Sequence, residues 1–126
     1  MSHFVEIKPS EVEINDLEAL RLAAREMGFE LIPNTAPRGY FTGEICDYVL
    51  RLKGPYDVGL KKNAQGGYNI VADWYKGYVA KEVGERAGML LQRYVAQKIY
   101  LEARRRGFNV NKQNKEDGLV QLVLRR

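Results

Sequence analysis

The fold is decided by residues 45–74, ICDYVLRLKGPYDVGLKKNAQGGYNIVADW. Apolar and polar side chains alternate from Ile45 to Lys53, and turn-forming residues interrupt the pattern at 54–55 and 63–67. Alternation with a period of two is typical of strands that bury one face, and short turns join neighbouring antiparallel strands. The stretch therefore predicts a three-stranded antiparallel meander. Its strands are expected at residues 45–53, 56–62 and 68–74.

Upstream of the meander, the sequence predicts a strand, a helix, a second strand and a long loop. Asn15 and Glu18 have the spacing of a helix N-cap and its reciprocal acidic partner, and apolar residues then recur at helical spacing as far as Gly28. Short alternating or apolar runs on either side of this helix predict the two strands. In chain order these elements occupy residues 3–8, 15–28, 29–32 and 33–43.

Downstream of the meander, the sequence predicts one long helix and a closing hairpin. Apolar residues form a broad stripe over residues 81–106, and Gly107 is placed to cap the helix. Gly84 and Gly88 lie one turn apart inside this helix, where small residues cost helix propensity but allow another element to approach closely. The two strands of the hairpin are expected at residues 108–112 and 119–124.

The element order β-α-β-β-β-β-α-β-β predicts an α+β fold. Layering rules place both helices on one face of a largely antiparallel sheet of five to seven strands, which gives a two-layer sandwich. The 126 residues fit a single domain covering residues 1–126, large enough to bury a core without a metal or disulfide staple.

Composition excludes several classes of protein. One cysteine cannot form an internal disulfide, and with one histidine the chain has no ligand cluster for zinc, so we expect no metal and no cofactor. The longest apolar run, at residues 88–91, is far shorter than the roughly 20 residues that cross a bilayer. Because the N-terminus lacks a basic-then-apolar signal pattern, we expect a cytoplasmic protein with no membrane partner.

Catalysis has few candidate residues. His3 has no nucleophile or carboxylate at a defined spacing, and Cys46 falls on the apolar face of its strand, where a cysteine is typically a small buried hydrophobe. Asp57 and Asp73 are expected to be solvated strand carboxylates. Residues 65–68 lack the Lys-Ser/Thr pair and the following helix of a phosphate-binding loop. The sequence therefore favours a non-catalytic protein, with an enzyme of unknown reaction as the second alternative.

Aromatic and basic residues in loops and at element ends favour binding of a protein partner. Trp74, Tyr75 and Tyr78 fall within five residues, and Trp74 suits a core anchor whereas the two tyrosines suit an interface. The residues that we predict to bind the partner are Arg38, Tyr40, Trp74, Tyr75, Tyr78 and Arg93.

Nucleic-acid binding, RNA in particular, is the alternative function. The chain has 20 Lys and Arg against 16 Asp and Glu, a net charge of +4, and basic clusters occur at the ends of separate elements. Such clusters fit solvated termini and helix caps, and together with loop aromatics they would also contact phosphates and stack on bases. An exposed edge strand would in addition allow a homodimer. The residues of this alternative surface are Lys61, Lys62, Arg104, Arg105, Arg106, Arg125 and Arg126.

Short motifs follow one another in order along nearly the whole chain. They are Met1-Ser2-His3-Phe4, Asp16-Leu17-Glu18-Ala19-Leu20, Arg38-Gly39-Tyr40, Tyr56-Asp57-Val58-Gly59, Ala72-Asp73-Trp74, Gln92-Arg93-Tyr94 and Gly107-Phe108. The set resembles a small family of unknown function, a hypothetical open reading frame of algal plastid genomes that also occurs in cyanobacteria and other prokaryotes. Family members often carry a His shortly after the Gln-Arg-Tyr motif, where this chain has Ala96-Gln97, and a longer Trp-rich segment after Ala-Asp-Trp.

The resemblance implies a place in an assembly and no activity, since none is assigned to the family. Its genes are often found near those for an ATPase of the AAA+ class and for another very small protein. That association implies an accessory subunit, with an AAA+ ATPase as its partner and the plastid stroma as its location in an alga. A basic domain without a catalytic set agrees with an adaptor better than with an enzyme.

Overall fold

The computed structural model describes residues 2–6, 12–39, 44–114 and 120–125, which form two antiparallel sheets and three α-helices. In chain order the elements are β1 (Ser2–Glu6), α1 (Leu17–Glu26), β2 (Glu30–Thr35), β3 (Cys46–Arg51), β4 (Val58–Lys62), β5 (Tyr68–Ala72), α2 (Ala80–Val83), α3 (Gly88–Arg105), β6 (Asn109–Asn114) and β7 (Val120–Arg125). Two 3-10 turns, Tyr75–Gly77 and Glu85–Ala87, flank α2. The predicted α+β fold and its order of main elements are confirmed, and α2 is an additional short helix.

The strands divide between two sheets instead of joining one. The larger sheet has the order β2-β3-β4-β5, and it contains the predicted meander with Val49 opposite Gly59 and Gly59 opposite Val71. The smaller sheet has the order β1-β7-β6. The 18 residues of α3 carry the chain about 27 Å along the helix axis after the meander. The closing hairpin therefore pairs with β1 and forms a sheet of its own.

Helix α3 is buried on two sides and lies between two hydrophobic clusters. Leu90 packs in the main cluster with Leu20 of α1 and Leu50 of β3, whereas Ile99 packs with Leu122 of β7 in a smaller cluster. Leu90 and Ile99 are nine residues apart, two and a half turns at about 3.6 residues per turn, so they point to opposite sides. Both long helices thus cover one face of the larger sheet, as predicted, and the smaller sheet packs on the far side of α3.

The cap of α1 differs from the prediction by one residue. Asp16, and not Asn15, is the N-cap, and its Oδ1 accepts a hydrogen bond of 3.1 Å from the N–H of Ala19. The N–H of Asn15 instead donates to the Tyr94 hydroxyl at 2.9 Å, and the same hydroxyl donates to the Asn15 side chain at 3.2 Å. Asn15, which local spacing predicted to be the cap, is therefore hydrogen-bonded to a buried tyrosine 79 residues away.

The helix predicted over residues 81–106 is interrupted at Gly84. This glycine has a φ of +86°, and its N–H closes α2 by donating to the Ala80 carbonyl at 2.7 Å. A Cβ atom at Gly84 would lie 2.7 Å from the backbone nitrogen of Met89 in α3. The glycine thus permits a close approach, but between the two helices that the break creates. The long helix begins at Gly88.

Strand β2 extends to Thr35, beyond the predicted strand over residues 29–32. Pro33 lies inside the strand opposite Tyr48, and pairing continues to Thr35. The proline is tolerated because β2 is an edge strand, where an outward backbone N–H is not needed for the ladder. The loop predicted to begin at residue 33 therefore begins after residue 35.

Candidate functional site

A buried carboxylate, Asp57, ties the segment after β2 to the strands of the larger sheet. Its side chain is 0% exposed and accepts hydrogen bonds from the N–H, Nε and Nη2 of Arg38 at 2.9, 3.0 and 2.8 Å. The N–H of Leu52 donates to the same carboxylate at 3.1 Å. In return, the Asp57 N–H donates to the Arg38 carbonyl at 2.8 Å, and Arg38 Nη2 donates to the Leu52 carbonyl at 2.9 Å. The two-pronged contact fixes both the position and the orientation of the guanidinium group.

Charge is retained at this buried carboxylate. Burial raises the pKa of Asp57, but hydrogen bonds from the side chain and backbone of Arg38 and from the backbone of Leu52 outweigh it, so the pKa lies below its ordinary value. The hydrogen bond to Asp57 in turn raises the pKa of Arg38. A second cation, Arg51, places its Nε 3.3 Å from the Asp57 carboxylate. Asp57 is therefore an anchoring anion and not a proton donor at neutral pH.

A cleft of about 320 Å³ opens beside this ion pair. Large apolar side chains are exposed at its rim: Trp74 is 41% and Val71 is 37% exposed, and the neighbouring Tyr75 is 51% exposed. The Asp73 carboxylate accepts a 3.0 Å hydrogen bond from the Tyr75 N–H, which holds the start of the 3-10 turn. The residues that line the cleft are Pro37, Arg38, Gly39, Asp57, Val71, Ala72, Asp73 and Trp74. The structure thus brings Arg38 and Trp74 together from positions 36 residues apart in the chain.

Tyr78 does not line the cleft but packs against Tyr56, the residue before Asp57. Its ring meets that of Tyr56 in an edge-to-face contact with centroids 5.1 Å apart, and Tyr56 directly precedes Asp57. The Lys81 ammonium lies 5.9 Å from the centre of the Tyr78 ring. Tyr78 is half-buried by these contacts. Tyr40, which was predicted to act with these residues, lies outside the described ranges.

Arg93 belongs to a different ionic centre. It forms an ion pair with Glu26 of α1, and Lys112 of β6 forms another with the same carboxylate. The amide of Gln97 donates to Glu26 at 2.9 Å. Burial raises the pKa of Glu26, but hydrogen bonds from Lys112 and Arg93 outweigh it, so the pKa lies below its ordinary value. Arg93 therefore joins α3 to α1 and does not line the cleft.

The predicted basic clusters fall in two regions, and acidic residues pair with three of their members. Arg125 lies opposite Asn109, just after the arginines that end α3, so these clusters share one end of the molecule. Lys62 is exposed on β4 in the other sheet, and the Arg104 guanidinium lies 5.7 Å from the centre of the Tyr100 ring. Arg126 lies outside the described ranges. The ion pairs are Lys61 with Glu44, Arg105 with Glu18 and Glu102, and Arg106 with Glu102.

Cys46 and His3 were the two catalytic candidates, and the described structure covers the side chain of Cys46 and the backbone of His3. Cys46 is 1% exposed, as predicted, and burial raises the pKa of its thiol, which opposes formation of the reactive thiolate. The backbone of His3 pairs with Leu124 in the smaller sheet. Among the described residues, no three His, Cys, Asp or Glu side chains group closely enough to hold a metal ion. None of the helices in these ranges combines the length and apolar character needed to cross a bilayer.

Asp57, the central residue of the site, was predicted to be a solvated strand carboxylate, and this prediction is wrong. Asp57 is buried, and the reason lies 19 residues away in Arg38, which supplies the hydrogen bonds that make burial of the charge possible. The signal that could have found the pair is their shared presence among the short motifs, since both Arg38-Gly39-Tyr40 and Tyr56-Asp57-Val58-Gly59 belong to that set.

Comparison with known proteins identifies a family and nothing more specific. A family model described as "Protein of unknown function (DUF1257)" matches residues 23–123, a span that includes every residue lining the cleft. No curated protein and no solved structure matches the chain. The resemblance to a family of unknown function is therefore confirmed.

Proposed function

We propose that this chain, which belongs to the DUF1257 family of proteins of unknown function, is a non-catalytic adaptor that binds a protein partner. Its binding surface is the cleft rim, defined here as Arg38, Val71, Trp74 and Tyr75. The observation that carries the proposal is the adjacent pair Trp74 and Tyr75, which leaves 41% and 51% of two large aromatic residues exposed beside a shaped cleft.

The composition of the cleft rim suits a protein interface. Trp, Tyr and Arg are the residue types that carry most of the binding energy in protein–protein complexes, and they do so best next to a pocket that the partner can fill. The rim combines one of each type with a branched aliphatic residue, Val71. An exposed apolar group of this kind, bordered by Asp73 and Arg38, marks an interaction site more often than a structural one.

One member of the cleft rim, Arg38, is held in a single geometry before any partner binds. Asp57 binds the guanidinium of Arg38 at two nitrogens, yet 42% of the Arg38 side chain remains exposed. A side chain already fixed in one geometry loses little conformational entropy on binding. Arg38 is therefore a preorganised donor at the wall of the cleft.

An ATPase of the AAA+ class is the partner that the family resemblance implies. An accessory subunit of such an assembly would need a fixed, partly apolar surface and no catalytic group of its own, which agrees with the cleft rim. Nucleic-acid binding is the less favoured function, because Lys61, Arg105 and Arg106 are paired with carboxylates.

The proposal is tested by affinity capture from extract of the source cells, with and without nuclease. The chain is compared with the double variant Trp74→Ala, Tyr75→Ala and with the control Ile45→Ala, which removes an apolar side chain that is 67% exposed outside the cleft rim. We expect a protein that survives nuclease, remains with the control and is lost with the double variant. Capture that nuclease abolishes, or that the double variant retains, would contradict the proposal.

The captured protein is then purified and its affinity measured by calorimetry. Loss of a central interface aromatic typically costs about 2 kcal/mol or more, which is roughly a 30-fold weaker Kd. We expect this loss for the double variant and a change of less than about threefold for Ile45→Ala. Identification of the captured protein as an AAA+ ATPase would support that assignment of the partner, and a protein of another class would replace it.

A further inference from the structure

Strand β5 forms one edge of the larger sheet, and among the described residues its outward-facing backbone groups are paired only at the first residue of the strand. There the N–H of Tyr68 donates to the carbonyl of Ile14 at 2.7 Å in an isolated antiparallel bridge. In a strand the N–H and C=O of alternate residues point to the same side, so Ile70 and Ala72 present theirs in the same outward direction as Tyr68. No hydrogen bond within the described structure reaches these four backbone groups.

The opposite edge of the same sheet, strand β2, has features that prevent pairing with another strand. Strand β2 carries Pro33, the charged Glu30 and the left-handed Asn34, with φ of +49°. Proline, charge and an irregular backbone are the means by which proteins prevent strand pairing at an edge. Strand β5, with the sequence Tyr-Asn-Ile-Val-Ala, has none of these and exposes Val71. Of the two edges, β5 is the one that remains competent to accept another strand.

Two clefts flank the open part of β5, one on each face of the sheet. The face of Ile70 borders a cleft of about 380 Å³ that Ile14 and Leu91 help to line. The face of Val71 borders the cleft of about 320 Å³ that Trp74 helps to line. Because side chains of an extended strand alternate between faces, a strand beside β5 would direct successive residues toward the two clefts.

We propose that a short extended segment of the protein partner adds to β5 as a further strand. Its backbone bonds to the N–H and C=O groups of Ile70 and Ala72, and an apolar side chain on the outer face packs against Val71 and Trp74. Strand addition of this kind draws affinity from main-chain hydrogen bonds and specificity from pockets for alternate side chains. The inference rests on the proposed function, because it specifies the partner segment that binds at the cleft rim.

A second copy of this chain fits the same edge less well. In a symmetric antiparallel pair centred on Val71, Ile70 of one copy would lie opposite Ala72 of the other, and Trp74 would lie opposite Tyr68. The outer side of Tyr68 is already occupied by Ile14 in each copy. The chain continuing past Trp74 would therefore meet this segment, whereas a short peptide strand ends before it.

The test removes one backbone donor from the full chain. Ala72→Pro deletes the outward N–H, while the ladder with β4 uses the inward groups of Asn69 and Val71 and is left in place. Ala72→Ser is the matched control, because it keeps the N–H and a small side chain. The probe is a phage-displayed library of random linear peptides selected against the unmodified chain, and the selected peptides are measured against all three proteins.

We expect the selected peptides to bind the unmodified chain and Ala72→Ser equally, and Ala72→Pro about tenfold more weakly or worse. Amide hydrogen exchange of the unmodified chain should show Ile70 and Ala72 becoming protected when peptide binds. Equal binding by Ala72→Pro, unprotected amides in the complex, or failure of any linear peptide to be selected would overturn the proposal. Sedimentation of the unmodified chain as a dimer that Ala72→Pro converts to a monomer would assign the edge to a second copy instead.

Two further comparisons separate this proposal from the proposed function. Capture of the cellular partner that survives Ala72→Pro but is lost in Trp74→Ala, Tyr75→Ala would keep the adaptor function and reject strand addition. Capture lost in Ala72→Pro but retained in the aromatic variant would keep strand addition and reject the aromatic surface. If circular dichroism shows that Ala72→Pro does not fold, the exchange protection of Ile70 and Ala72 in the unmodified chain decides alone.

Discussion

Two carboxylates, Asp57 and Glu26, form ion pairs with basic residues from distant parts of the chain, and they differ in how deeply they are buried. Asp57 is fully buried, and backbone N–H groups as well as the Arg38 side chain donate to it. Glu26 leaves 23% of its side chain exposed, and its partners Arg93 and Lys112 are also partly exposed. A buried charge that loses its partners cannot recover them from water, whereas a partly exposed one can. Loss of the Asp57 centre is therefore expected to lower the free energy of unfolding more than loss of the Glu26 centre.

The largest expected effect comes from Asp57→Ala. This change leaves the N–H of Leu52 without its acceptor, and an unsatisfied buried backbone group costs about 1–3 kcal/mol. It also removes the hydrogen bonds of the Arg38 guanidinium, but this side chain is 42% exposed and can bind water instead. Urea unfolding should show this loss. Asp47→Ala is the control. Asp47 accepts a hydrogen bond from the N–H of Lys62 at an exposed site, and its loss should cost less than about 1.5 kcal/mol. An unfolding midpoint for Asp57→Ala equal to that of the control would remove the contrast.

Acidification should erase the difference between the unmodified chain and Asp57→Asn. The pKa of Asp57 in the folded chain lies below its ordinary value of 3.8, so the folded state binds this proton less readily than the unfolded state. The stability that the carboxylate contributes is complete above pH 3.8 and is lost as the pH falls from there through the lower folded-state pKa. The measurement is urea unfolding of both proteins across this range. A difference that stays constant with falling pH would contradict the assignment.

The smallest expected effect comes from Glu26→Gln. It removes the ion pairs with Arg93 and Lys112 but leaves an amide that can still accept a hydrogen bond, and partly exposed pairs contribute about 0.2–1 kcal/mol. Salt should shrink this loss further, since it screens exposed charges more than buried ones. Urea unfolding at low and high sodium chloride measures both quantities, with Asp57→Asn as the salt-insensitive reference. If Glu26→Gln lowered the free energy of unfolding as much as Asp57→Ala does, the predicted difference between the two centres would be wrong.

Much of the fold follows from patterns that act over a few residues. The alternation over residues 45–74 correctly predicted the meander, and the apolar stripe correctly predicted the body of α3. These predictions succeed because backbone conformation and the choice of buried face depend on near neighbours. Asn15 failed as a cap for the opposite reason, since Tyr94 is beyond the reach of any local pattern.

The candidate site was predicted in part. Arg38, Trp74 and Tyr75 were identified as residue types that bind partners, and the structure places Arg38 and Trp74 in the lining of one cleft, with Tyr75 adjacent. Arg93 was selected on the same grounds, yet its guanidinium pairs with Glu26 elsewhere. Residue type alone cannot separate these cases, because an arginine serves a surface or an internal ion pair with the same chemistry.

What the sequence determined by itself is the main elements, their order and the buried face of the meander strands. Only the tertiary structure decided that the strands form two sheets and that Asp57 is buried. It also decided that, within the described ranges, Ile70 and Ala72 of β5 leave their outward backbone groups unpaired. The physical reason is the range of the forces involved. Propensity and hydrophobic period operate within a turn or a strand, whereas burial of a charge and exposure of an edge depend on residues that only folding brings together.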